Sequence, residues 1–141
     1  MKINNLVSGK KVETISPSAN IQDLVNFLNT HGVGALVVSS DGKTIEGIVS
    51  ERDVVRAMPG KLDQLIHMHV RDIMTVNVIT CQSDATVADL MNIMTERRIR
   101  HIPVVDDEGK AISIVSIGDV VKAHISELES ERQALKDYVS S

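Results

Sequence analysis

The sequence predicts an α+β fold made of two β-α-β-β-α repeats packed about a pseudo-twofold axis. Three observations carry that prediction. Residues 12–57 align without a gap to residues 78–123, with 15 identities in 46 positions, far more than unrelated segments share by chance. Within each copy the hydrophobic period changes in the same order: strand-like, helical, strand-like twice, then helical again. A unit of roughly fifty residues is also too small to be comfortable alone, so two copies are expected to cover each other's sheets.

The elements follow in order. Asn5-Leu-Val-Ser8 is a faint counterpart of Val70-Arg-Asp-Ile-Met-Thr75, which leads into the second copy. Residues 12–15 and 78–81 read as short strands. Ser16-Pro17-Ser18 and Gln82-Ser83-Asp84 read as helix starts. Ile21, Leu24, Val25 and Leu28 then fall at i, i+3, i+4 and i+7, and Val87, Leu90, Met91 and Met94 repeat that stripe, giving each half a helix with one buried face. Residues 35–39 and 102–105 are apolar runs, Asp41-Gly42 and Asp107-Glu108-Gly109 are hairpin turns, and residues 45–49 and 112–115 are the returning strands. Ser50 and Ser116 open the closing helices, whose Val54-Val55 and Val120-Val121 pairs are expected to face the core. Pro59-Gly60 ends the first of these helices, and Leu62, Leu65 and Ile66 mark a short one after it. Beyond Ala123, a sparse stripe of Ile125, Leu128, Leu135 and Val139 among charges predicts a terminal helix lying on the module or on a second subunit. The expected division is 1–69 for the first repeat with its N-terminal segment and connector, 70–124 for the second, and 125–141 for the terminal helix.

Composition narrows the function. Of 141 residues 43% are hydrophobic, so a real core is expected, but Phe27 and Tyr138 are the only aromatics. That argues against single-stranded nucleic-acid binding, which commonly uses aromatic stacking platforms. A net charge of -4 opposes long-range attraction to nucleic acid or to an anionic membrane, so any bound anion must meet a local basic cluster. Cys81 is the only cysteine, and its repeat counterpart Ile15 suggests a buried, inert thiol. Neither a signal-peptide hydrophobic region nor a membrane-length apolar run is legible, which leads to the expectation of a soluble, cytoplasmic protein.

The most telling duplication is the seam between strand and helix. Ile48-Val-Ser-Glu-Arg-Asp-Val-Val-Arg-Ala57 returns as Ile114-Val-Ser-Ile-Gly-Asp-Val-Val-Lys-Ala123. Each copy presents a hydroxyl and, three residues on, a carboxylate. One reading is a capping box, although Asp is shorter than the usual Glu or Gln and is expected to close it less well. The other is a ligand site, because a helix start supplies amides and positive dipole to an anion.

The doubled unit, with Gly47-Ile-Val-Ser-Glu-Arg-Asp53, Ile114-Val-Ser-Ile-Gly-Asp119, Arg100-His-Ile-Pro-Val-Val-Asp106 and Gly34-Ala-Leu-Val-Val38, resembles a CBS-domain pair over nearly the whole chain. The resemblance implies binding of an adenosine-containing ligand (AMP, ADP, ATP, NAD or S-adenosylmethionine) between the repeats. It carries the family's ribose-binding role to Ser50 and Asp53 and to Ser116 and Asp119; an ionised carboxylate can accept from both hydroxyls of a ribose. It also implies that backbone at Thr14, Ala35 and Leu36, and at Thr80, Ile102 and Pro103, encloses the adenine. Basic residues before the central strand often meet phosphate in this family, which points to Arg100 and His101, then Arg52. The two halves differ, because His31, Gly32, Gly34 and Ala35 match Arg97, Arg98, Arg100 and His101, while Gly118 matches Arg52. Arg97 and Arg98 read instead as a solvated helix end favoured by the macrodipole. His67, His69 and His124 read as surface or packing residues, and no metal site is expected.

Three functions compete at this level. One is a nucleotide sensor, acting as a homodimer on an unknown effector protein in trans. The second is a structural dimerisation adaptor with vestigial clefts. The third, an enzyme, lacks a nucleophile paired with a base, a glycine-rich phosphate loop and a metal motif.

Overall fold

In the computed structural model, which describes residues 1–7 and 11–141, the elements run α1 (Asn4–Val7), β1 (Thr14–Ile15), α2 (Ile21–His31), β2 (Ala35–Val38), β3 (Gly47–Ser50), α3 (Glu51–Ala57), α4 (Leu62–Leu65), α5 (Val70–Ile73), β4 (Cys81–Gln82), α6 (Val87–Arg97), β5 (His101–Val105), β6 (Ala111–Ser116) and α7 (Ile117–Ser140). Two three-stranded sheets result, ordered β1-β2-β3 and β4-β5-β6. In each, the first strand pairs parallel to the second and the second pairs antiparallel to the third. The registers are duplicated too: Ala35 opposes Ser50 and His101 opposes Ser116.

The expected helical stripes hold. Ile21, Leu24 and Leu28 are buried with Leu36, Val38 and Val49 in one core, and Val87, Leu90 and Met94 with Ile102, Val104 and Val115 in the other. Full burial of each such side chain stabilises the fold by about 1.5–3 kcal/mol before entropy is counted. Successive strand residues point to opposite faces, and both faces of the central strand β2 are covered: Leu36 and Val38 enter the first core, while Ala35 and Val37 are as inaccessible on the other side.

Several local expectations need correction. The helix caps lie further on than Ser16-Pro17-Ser18 and Gln82-Ser83-Asp84: Asn20 accepts from the Asp23 amide at 2.8 Å, and Thr86 from the Asp89 amide at 3.1 Å. Ser16 is spent on a local turn, accepting from the Ser18 amide. The Val-Val pairs do not both face the core. Val54 and Val120 are buried, but Val55 is 61% and Val121 44% exposed, because adjacent helical positions lie about 100° apart and cannot share one face. The terminal helix does not begin at 125; α7 is continuous from the second seam. Ser8, part of the faint N-terminal counterpart, lies outside the described residues.

The segments that precede the repeats are exchanged. The Ile3 amide donates to the Ala85 carbonyl at 2.8 Å, and the Val70 amide donates to that of Ala19 at 2.9 Å. Ile3 therefore belongs to the second core and Val70 to the first, so each half is sealed by chain that leads into the other. After α5 the connector runs along β3, where Thr75 and Ile48 exchange both backbone hydrogen bonds at 2.9 Å. Gly47 allows this approach, since a Cβ there would stand 2.8 Å from the Thr75 carbonyl oxygen.

Candidate ligand cleft between the repeats

Both seams close as capping boxes. The Ser50 amide donates to Asp53 Oδ2 at 2.8 Å while Ser50 Oγ accepts from the Asp53 amide at 3.4 Å. The Ser116 amide donates to Asp119 Oδ2 at 3.1 Å, and Ser116 Oγ accepts from the Asp119 amide at 3.2 Å. Thr86 and Asp89 form a third such box. The expectation that aspartate closes the box poorly is thus corrected, and capping is a device this chain uses generally. Capping does not consume Asp53, however. Its hydrogen bonds, including one from Ser50 Oγ at 3.1 Å, all use Oδ2, and Oδ1 accepts none among the described residues.

Asp53 borders a cleft of about 170 Å³ built from both repeats and the connector. The first repeat contributes Gly34, Ala35 and Ile48 from the sheet, and Ser50 to Asp53 with Arg56 from the seam. Asn77, Val78 and Ile79 line it from the connector, and Arg98 to His101 from the turn between α6 and β5. Four arginines, Arg52, Arg56, Arg98 and Arg100, line it with two acidic residues, Glu51 and Asp53, so the lining carries a positive surplus despite the acidic chain. The apolar residues supply a surface for a flat ring, while the arginines can hold phosphate in bidentate fashion.

Two residues show how the fold builds this wall. Arg98 ends α6 in the left-handed conformation, with φ of 54°, at the position that Gly32, with φ of 61°, takes in the first repeat. A non-glycine residue there is strained, and Arg98 is one of the residues that line the cleft. His101, at the start of β5, packs against Gly34 of the other repeat. Burial lowers its pKa below the ordinary histidine value, Glu51 and Asp119 pull it upward, and Arg100 adds to the lowering.

Of the residues singled out from sequence, Ala35, Ser50, Arg52, Asp53, Arg100 and His101 meet in this cleft. Ser116 and Asp119 do not line it, and Thr80 borders a separate shallow depression beside Cys81. Thr14 pairs with Val37 in the sheet. The side chains of Leu36 and Ile102 fill the two cores, and Pro103 is buried in β5, so these three can offer a ligand only backbone. Sequence reasoning passed over Arg56 and assigned Arg98 to solvent. Arg56 lies one turn after Arg52, and Arg98 is an arginine where the matching repeat has glycine; both signals were readable. Cys81 is half-buried and burial pushes its thiol up to about 11. Among the described residues no cluster of three or more His, Cys, Asp or Glu could hold a metal ion, and no helix is long and apolar enough to cross a membrane.

The sequence profile of the CBS domain matches residues 6–60 and again 70–126. The chain belongs to the CBS-domain family. As a CBS pair it is 41% identical over 123 residues to the mitochondrial CBS domain-containing protein CBSX3 of Arabidopsis thaliana, a match covering 84% of this chain and 59% of that relative's length. The crystal structure of the CBS-domain containing protein ATU1752 from Agrobacterium tumefaciens superposes with a TM-score of 0.83 at 38% identity, covering 88% of this chain and 99% of that one. CBSX2, solved in complex with AMP, superposes with a TM-score of 0.75 at 27% identity over 89% of this CBS pair and 96% of its own chain.

Proposed function

We propose that this CBS pair is a sensor that binds an adenosine-containing nucleotide, AMP, ATP or NAD, in the cleft between its repeats and signals in trans to an effector protein. The observation that carries the reading is Asp53: its capping bonds use Oδ2 and leave Oδ1 without a partner among the described residues, and it lines a cleft to which both repeats contribute arginines. In this reading Asp53 accepts from the ribose hydroxyls, backbone and apolar side chains near Ala35 and Ile79 flank the base, and Arg52, Arg56, Arg98 and Arg100 meet phosphate. The related CBSX2, solved with AMP, supports the ligand class. No catalytic step is assigned to the chain, and its output is a change in geometry that follows from the ligand's differential affinity for two states. The acting form is a homodimer, and a single thiol with no disulfide fits the cytoplasm.

The alternative, a dimerisation adaptor with vestigial clefts, is favoured by the second seam, whose Ser116 and Asp119 form a capping box and are not among the residues that line the cleft. Thermal unfolding against a panel of AMP, ADP, ATP, NAD and S-adenosylmethionine separates the two. A ligand at a hundredfold its dissociation constant stabilises by about 2.7 kcal/mol. A flat response to the whole panel would leave the adaptor standing and remove the sensor.

A further inference from the structure

Helix α7 outruns the module it belongs to. Its first half is anchored by Val120 and Ala123 in the second core, and the N-terminal ammonium of Met1 meets Glu127 at 2.7 Å. From residue 128 to residue 141 every residue is exposed, so the last three turns and more stand in water on all sides. A lone helical extension of that length is marginal unless something covers its apolar face.

The apolar face is a heptad seam. Val121, Ile125, Leu128, Arg132, Leu135 and Val139 follow one another at alternating spacings of four and three residues. Ile125 and Leu128 are both 50% exposed, and Leu135 65%. Written as a coiled coil, the seam has Ile125, Arg132 and Val139 at a, and Val121, Leu128 and Leu135 at d. β-Branched residues at a with leucine at d favour a parallel two-stranded coil, and a single charged a position fixes register and strand number at some cost in stability.

The flanking charges choose the orientation. In a parallel pair, Glu131 at g faces Lys136 at e of the second copy, and His124 faces Glu129. The antiparallel register that aligns the same seam sets Glu129 against Glu129, Glu131 against Glu131 and Lys122 against Lys136. Like charges oppose one another at each of these e and g positions, whereas the parallel pairing has none there and brings like charges together only at the a position, Arg132 against Arg132, the single charged layer that sets register at a cost in stability.

We propose that α7 forms a parallel two-stranded coiled coil with α7 of a second copy, placing both CBS pairs at one end of the coil with the twofold axis along it. This rests on the homodimeric part of the function proposed above and adds the interface and its direction.

Sedimentation equilibrium on the full chain tests it, comparing wild type with the double variant Leu128→Glu/Leu135→Glu. The expected result is a wild-type dimer whose dissociation constant rises more than about a hundredfold in the variant. Direction is read from Leu135→Cys under mild oxidation, with wild type as the control for Cys81: a parallel coil links the two copies within the dimer. A dimer that survives in the double variant overturns the coil but leaves homodimerisation intact. A wild type that stays monomeric overturns both. Loss of the dimer in the double variant without linkage through residue 135 overturns the parallel direction. The nucleotide-induced shift of the double variant shows that its modules remain folded, and reports on the cleft independently of assembly.

Discussion

His101 of the second repeat lies against Gly34 of the first so closely that a Cβ on the glycine would stand 3.3 Å from both Cε1 and Nε2 of the imidazole. This contact joins the two halves in the wall of the cleft, which both residues line. Gly34→Ala is therefore expected to push the ring by a few tenths of an ångström and to cost at most about 1 kcal/mol, at the low end of overpacking, since a half-buried side chain can yield. The His101 imidazole resonances should shift in NMR spectra while thermal unfolding changes little. Collapse of the fold would mean that the contact is rigid.

The same imidazole makes stability depend on pH. Burial, the first cause, lowers its pKa from the ordinary 6.5. The unfolded chain then binds more protons than the folded one between the folded value and 6.5, so stability is full above that window and falls as the pH drops through it. Chemical denaturation at pH 7.5 and pH 5 should show a larger loss for wild type than for His101→Gln. Equal losses would show that His101 does not contribute.

Arg98 trades stability for position. Replacing it with the glycine of the first repeat, Arg98→Gly, should relieve the left-handed strain and stabilise the fold by about 1 kcal/mol. Nucleotide affinity should fall, more for ATP than for AMP. Calorimetric titration alongside unfolding reads both signs; a variant that is less stable and binds unchanged would refute the assignment.

The two seam aspartates should separate when mutated. Asp53→Asn keeps an oxygen for the Ser50 amide but loses the charge, so nucleotide affinity should drop about tenfold, or about 1.4 kcal/mol, with the melting temperature nearly kept. Asp119→Ala removes the N3 carboxylate of a capping box, which accepts from the Ser116 amide, and should cost about 0.5–1.5 kcal/mol of stability. Because Asp119 lies outside the cleft lining, its effect on affinity should be the smaller. The opposite ranking would move the ligand to the second seam.

Much of this protein was legible in its residues taken one at a time. The helical stripes at Leu24 and Leu90, the seam serines 50 and 116 and the turns at Gly42 and Gly109 are local patterns, and each was written twice, so one copy checked the other. The errors had local causes as well. Polar residues at 16–18 offered plausible caps before the true one at Asn20, and a Val-Val pair cannot say which of its two faces a core will take.

By itself the sequence determined the duplication, the order of strand and helix, and the chemistry available at each seam, because these follow from short-range periodicity and side-chain type. Only the tertiary structure decided that Ile3 and Val70 change places between cores, that Asp53 borders the cleft while Asp119 does not, and that Arg98 joins Arg52 across the repeats. The reason is physical. A hydrophobic pattern specifies which face of an element must be covered, but what covers it, and which charges then meet, depends on how segments far apart in the chain pack.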